Sequence, residues 1–194
     1  MRKRTRCRTL LVPCATALLA IATCGGAVKA TTLMRMSVAQ LSHAAQVIVR
    51  AHCLSNYTRW DANEIWTFTV FGVDEIWRGS SAPQITVRLL GGRSGNLTSH
   101  VSGIPRFRPG EDVVLFLEPT RHGDFSVVSW EQGTFRIRHG IHAGGETVLQ
   151  DTASFATFDP AKLEFEAQGI RDMPLNVFRA QVEAALHGGA GSGR

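Results

Sequence analysis

Between Gln46 and Arg138 the chain is a succession of short apolar runs, cut by glycine, proline and Asn/Asp clusters. No run there is long enough or suitably spaced to make a helix with one apolar stripe. The clearest run is Ile65–Trp77, where Trp66, Phe68 and Val70 alternate with Thr67 and Thr69. Alternation demands an extended chain, because successive side chains of a strand point to opposite faces. It turns Phe68 and Val70 inward with Val49 and Leu115, and Thr67 outward. Gly72 interrupts the pattern before Val73 and Ile76 resume it, so a bulge is expected at Gly72.

The other runs complete a strand set. Gln46–Leu54 carries Val47, Val49, Ala51 and Cys53 on one face and Arg50 and His52 on the other. Tyr57–Glu64 is polar, contains the turn signal Asp61-Ala62-Asn63, and reads as a loop. Gln84–Leu90, Asp112–Leu117, Phe125–Trp130 and Gly133–Arg138 are further strands. Two helices flank them. Ser37 can cap Val38–Ala45, and Leu175, Phe178, Val182 and Leu186 form an apolar stripe behind Asp172, a suitable cap. The fold class that follows is mainly β: a small antiparallel barrel with a short N-terminal helix and a C-terminal helix, a sandwich being the alternative.

The first 30 residues have a different character. Arg2, Lys3, Arg4, Arg6 and Arg8 precede an uncharged apolar stretch from Thr9 to Ala22, and Val28-Lys29-Ala30 ends in small residues. These are the parts of a secretory signal peptide, with cleavage expected after Ala30. The apolar stretch is short for a membrane span. The expected organisation is therefore a signal peptide over 1–30, a barrel domain over 31–138, an irregular segment over 139–171, a helix over 172–187 and a disordered tail over 188–194. The expected location is periplasmic or secreted, with no transmembrane span in the mature chain. Ile21-Ala22-Thr23-Cys24 resembles a lipobox, whose cysteine would carry a lipid anchor; Thr23 stands where a smaller residue is usual.

Charge and cysteine usage change once this leader is set aside. The whole chain has 21 Lys+Arg against 16 Asp+Glu, and the leader holds six of the cations and none of the acids. The remainder is close to neutral, without the basic stripe that nucleic-acid binding demands. Cys7, Cys14 and Cys24 also lie in the leader, so Cys53 is left without an intramolecular disulfide partner.

Candidate sites are sparse. The long segment Gly91–Gly110 combines cationic and aromatic residues, Arg93, Arg106, Phe107 and Arg108, and long loops in compact domains are often functional. These four are the candidate ligand-binding residues. His139-Gly-Ile-His142 offers two metal ligands, but no neighbouring acid or cysteine completes a site, so the sequence reading assigns no metal and no cofactor. Cys53, on an apolar face, reads as a small hydrophobe and not a nucleophile. No catalytic set is recognisable, and the chain reads as non-enzymatic.

Several segments resemble the netrin-like domain of the tissue inhibitors of metalloproteinases. Ala45-Gln46-Val47-Ile48-Val49-Arg50-Ala51-His52 is similar to that domain's first barrel strand. Ile65–Gly79 resembles its second, ending in Trp77-Arg78-Gly79, and Glu111–Leu117 after Pro109-Gly110 resembles a later one. The chain also resembles a diffuse group of exported bacterial proteins of unknown function that share the Gly110-Glu111-Asp112-Val113-Val114-Leu115-Phe116-Leu117 strand. The resemblance spans about residues 38–138 and implies an OB-like barrel. The family's zinc-chelating N-terminal cysteine and its disulfides are missing here. Export, near-neutral charge, the barrel pattern and the lack of a catalytic set point to an exported non-enzymatic binding module for a protein or glycan, met through the 91–110 and 55–64 loops. Inhibition of an extracellular metalloprotease by loop insertion is one alternative, and an exported enzyme with a dispersed site is another.

Overall fold

A computed structural model describes residues 33–140, 145–151, 157–159, 164–166 and 169–188. The segment read as a signal peptide, with Cys24 and the expected cleavage point, His142 and the residues from 189 lie outside the described residues. Helix α1 (Val38–Ala44) begins as its sequence requires. The Ser37 hydroxyl accepts from Gln40 N at 3.2 Å, and Gln40 Oε1 accepts from Ser37 N at 2.8 Å, a reciprocal capping box.

The strands are β1 (Leu33–Met34), β2 (Val47–Asp61), β3 (Glu64–Arg78), β4 (Gln84–Leu90), β5 (Gly92–Ser94), β6 (Leu97–Ser99), β7 (Asp112–Pro119) and β8 (Phe125–Val127). Beyond a 3₁₀ turn at Trp130–Gly133 come β9 (Thr134–His139), β10 (Glu146–Leu149), β11 (Thr157–Asp159), β12 (Glu164–Glu166) and β13 (Met173–Pro174). Helix α2 (Leu175–Gly188) follows. The fold is mainly β with a helix toward each end, and no described helix is long and apolar enough to cross a membrane.

The main sheet returns on itself. β2 pairs with β3, β3 with β4, β4 with β8, β8 with β7 and β7 with β2; only the β4–β8 pairing is parallel. β9, β10 and β13 extend the sheet outward from β7. Strand β7 separates two cores because its side chains alternate. Val113, Leu115 and Leu117 face inward with Val49, Phe71 and Val87. Val114 and Phe116 face outward, onto Phe135 and the stripe of α2, where Phe178 and Val182 are fully buried. The C-terminal helix therefore docks, closing an aromatic group in which Phe135 and Phe178 lie 4.4 Å apart.

Four expectations are corrected. First, Tyr57–Glu64 is not a loop: β2 and β3 form one long hairpin whose two-residue turn, Ala62 and Asn63, has positive φ at both positions. Second, the facing of β3 is the reverse of the one read from its apolar residues. Thr69 and Phe71 are fully buried on the inner side, and Phe68 lies on the outer side, stacked on Tyr57 at 5.2 Å. The inner threonines are not solvent-facing; Thr67 Oγ1 donates to Gly91 O at 2.7 Å and Thr69 Oγ1 to Asn56 Oδ1 at 2.6 Å. Third, Gly72 pairs regularly with His52; the register slips instead at three other places, between Ile48 and Val49, between Cys53 and Ser55, and between Arg50 and Ala51, where Asp74 is the extra residue. A Cβ at 72 would stand 2.6 Å from His52 Cε1, so the missing side chain is what lets that ring lie across the strand. Fourth, residues 139–171 include β10, β11 and β12, and α2 starts at Leu175 behind β13, with Asp172 at φ 51° instead of capping it.

Candidate ligand-binding site

The 91–110 segment is built onto the far half of the hairpin. Gly92 lies so close beneath it that a Cβ would meet Thr67 Oγ1 at 2.4 Å. Thr58 Oγ1 donates to Arg93 O at 2.6 Å, and Asn56 Nδ2 to Phe107 O at 3.0 Å. These bonds tie the segment to the hairpin, and the short hairpin β5–β6 stands at its start. A cavity of about 220 Å³ opens between it and the hairpin, lined by Asn56, Thr58, Thr69, Arg93, Arg106 and Phe107 among others.

The four residues singled out from the sequence divide here. Arg93 and Arg106 are exposed at the cavity rim, Arg106 anchored through Nη2 to Ser99 O at 3.2 Å. Phe107 is buried as part of the inner core, edge-on to Phe71 at 4.9 Å. Arg108 is exposed and is not among the residues lining this cavity; its backbone N–H donates to Glu111 Oε2 at 2.9 Å. The polar 55–64 stretch does meet the 91–110 segment, as ladder and not as loop.

A second surface was not visible in the sequence. On the outer side of β3 and β4, Arg88 lies flat over Trp66, 4.2 Å from its ring, with Phe68 at 5.6 Å. Arg59 covers Phe68 from the other edge at 4.6 Å. Arg88 is 9% exposed and donates to Asp61 Oδ2 at 2.8 Å. Its Nε and the Trp66 indole N–H have no acceptor among the described residues. A groove of about 510 Å³ lies over this pair, between the hairpin tip at Asp61 and Ala62 and the β7–β8 turn, Pro119 to His122. The signal that could have found it is the row Trp66, Phe68 and Arg88, which an outward reading of β3 brings onto one face.

Two buried titratable groups, Cys53 and Glu131, line neither cavity. Burial pushes the Cys53 thiol up, as suits a packing residue. Glu131 is 4% exposed, and burial raises its carboxyl to about 7. Arg136 opposes that rise, but it is shared: its Nη1 bonds Glu111, and its Nη2 reaches Glu131 at 3.2 Å.

Neither a scan of protein-family models nor a search of curated proteins finds a match to this chain.

Proposed function

We propose that the closed run of strands is an OB-like barrel and that the protein is an exported, non-enzymatic binding module for a glycan. What supports the barrel is the pairing order β2-β3-β4-β8-β7, back to β2, with its single parallel neighbour pair. In an OB-fold, the second and third strands and the loops after the first and fourth strands form the surface that takes oligosaccharides and oligonucleotides. The corresponding elements here are β3, β4, the Ala62-Asn63 turn and the β7–β8 turn. The observation that carries the reading is the groove over Trp66 and Arg88 between those two turns. The part of the Trp66 ring that Arg88 leaves uncovered would meet the apolar side of a sugar ring, and Asp61 and Arg88 would supply the paired acceptor and donor that orient its hydroxyls. The groove carries Arg88 and Arg121 against Asp61 and Glu118, a balanced set that does not favour a polyanion.

Titration with a panel of neutral and acidic oligosaccharides, followed by tryptophan fluorescence, tests the proposal. Saturable quenching is expected, lost in Trp66→Ala and weakened at least tenfold in Arg121→Ala. Binding that survives Trp66→Ala but disappears in the Arg93→Ala/Arg106→Ala double variant would move the site to the smaller cavity. No binding by any saccharide would remove the reading.

A further inference from the structure

A second group of side chains lies on the outer face at the other half of the hairpin. His52 on β2, Asp74 on β3 and Asp112 on β7 each present a ligand atom, and the three atoms lie within 4.8 Å of one another. They are 22 and 60 residues from His52 along the chain, so no spacing motif announces them. Three structural features bring them together. The register places Asp112 directly opposite His52 across the β2–β7 ladder. The bulge in β3 leaves Asp74 unpaired beside His52. Gly72, having no side chain, lets the His52 ring lie across its backbone with Cε1 and Nε2 nearest to it, and Nδ1 is turned to Asp74 at 2.9 Å.

The surrounding charges are unequally satisfied. Arg50 bonds Glu146 through both guanidinium ends, at 2.9 and 2.6 Å, and reaches Glu75 at 3.5 Å. Arg179 bonds Glu75 at 2.6 Å. Asp74 and Asp112 have no Arg or Lys within ion-pair distance among the described residues; their partners are the imidazoles of His52 and His139. Two carboxylates held beside a neutral-capable imidazole form a donor set for a divalent cation, and the nitrogen ligand selects first-row metals over calcium or magnesium. His139 bonds Asp112 through Nε2 at 2.6 Å and reaches Glu146 through Nδ1 at 3.3 Å. A ligating carboxylate steadied in this way is the usual outer sphere of a metal site.

We propose that His52, Asp74 and Asp112 bind a first-row divalent cation, Zn²⁺ foremost, with His139 positioning Asp112. Three protein ligands leave a tetrahedral ion one position open to water or to an exogenous ligand. The proposal stands apart from the glycan-binding groove and does not depend on it.

The test is isothermal titration of the chelator-treated, purified protein with Zn²⁺, with Co²⁺ as an optical stand-in. One equivalent should bind, and Co²⁺ should develop visible d–d absorption that Zn²⁺ displaces. Asp74→Asn and His52→Gln should each weaken binding at least tenfold, and His139→Gln by about 10–100-fold. His43→Ala, on the exposed side of α1, should leave it unchanged. Gly72→Ala is the discriminating variant. It keeps all three ligands at an ordinary backbone conformation but displaces the His52 ring, so affinity should fall while the thermal melt of the metal-free protein stays close to wild type. The proposal is overturned if no stoichiometric Zn²⁺ binds, or if Asp74→Asn, His52→Gln and Gly72→Ala all bind as wild type does.

Discussion

The two halves of the β2–β3 hairpin use the same backbone ladder to opposite ends. In the near half, from Val47 to Cys53, every second residue of β2 enters the inner core. In the far half, from Leu54 to Trp60, all seven residues of β2 are exposed. The inner positions there are mostly polar: Asn56, Thr58, Thr67 and Thr69, whose side chains bond one another and the 91–110 backbone, with Trp60 and Ile65 paired nearer the tip. The apolar mass moves to the outer side, as Tyr57, Phe68 and Trp66 under Arg59 and Arg88. A ladder can thus leave a hydrophobic core without fraying, provided that hydrogen bonds replace packing on one face and ring–guanidinium stacking covers the other.

Phenylalanine truncations break this comparison most sharply. Phe71→Ala, in the near half, should cost about 3–5 kcal/mol in urea melts, because it leaves a cavity among residues that cannot relax into it. Phe68→Ala, in the far half, should cost about 2 kcal/mol, because the flexible Arg59 and Arg88 side chains can settle into the space. Equal costs would show that the outer aromatic group is a rigid core in its own right.

Buried charge offers the next contrast. Arg88, on β4 beside the far half, lies over Trp66 and has Asp61 at 2.8 Å. Glu131, in the body of the fold, must share Arg136 with Glu111, and burial holds its carboxyl at about 7. The folded state therefore keeps a proton that the unfolded chain has already released between about pH 4.5 and 7. This group's contribution to folding stability should be full below that window, fall as pH rises through it, and level off above about pH 7. The group's contribution to the fall is about 3 kcal/mol at most. Glu131→Gln should flatten the profile and raise stability near pH 8, measured by urea melts at a series of pH values. A wild-type profile retained in the variant would assign the dependence to other groups.

The smallest effect belongs to the turn that joins the halves. Ala62, at φ 49°, occupies the left-handed region that glycine adopts without strain. Ala62→Gly should stabilise the protein by up to about 1 kcal/mol, seen as a small rise in the urea midpoint. A loss of stability would mean that the Ala62 methyl packs within the groove beside Trp66.

Much of the fold was legible. Gln84–Leu90 is a strand over its whole expected length, the Ser37 cap and its helix stand where local chemistry put them, and the α2 stripe is buried at Leu175, Phe178 and Val182. Each of these rests on contacts between near neighbours or on one repeating period. The facing of β3 was misread for a physical reason. Alternation reports that two faces differ, and in the far half the face nearer the core is the more polar one. The candidate site was legible only in part. Arg93 and Arg106 reached a cavity rim, Phe107 went to the core, and the groove over Trp66 and Arg88 needed two strands and two turns to be assembled.

Sequence alone determined the strand-rich class, the two helices, the turn at Ala62-Asn63 and the character of Cys53 as a packing residue. All of these follow from propensity, period and burial, which act over a few residues. Tertiary structure decided which face of β3 looks inward, where Phe107 lies, and that His52, Asp74 and Asp112 meet. Those outcomes depend on register, on one bulge and on the missing side chain of Gly72. A shift of one residue in any ladder reverses what every side chain faces.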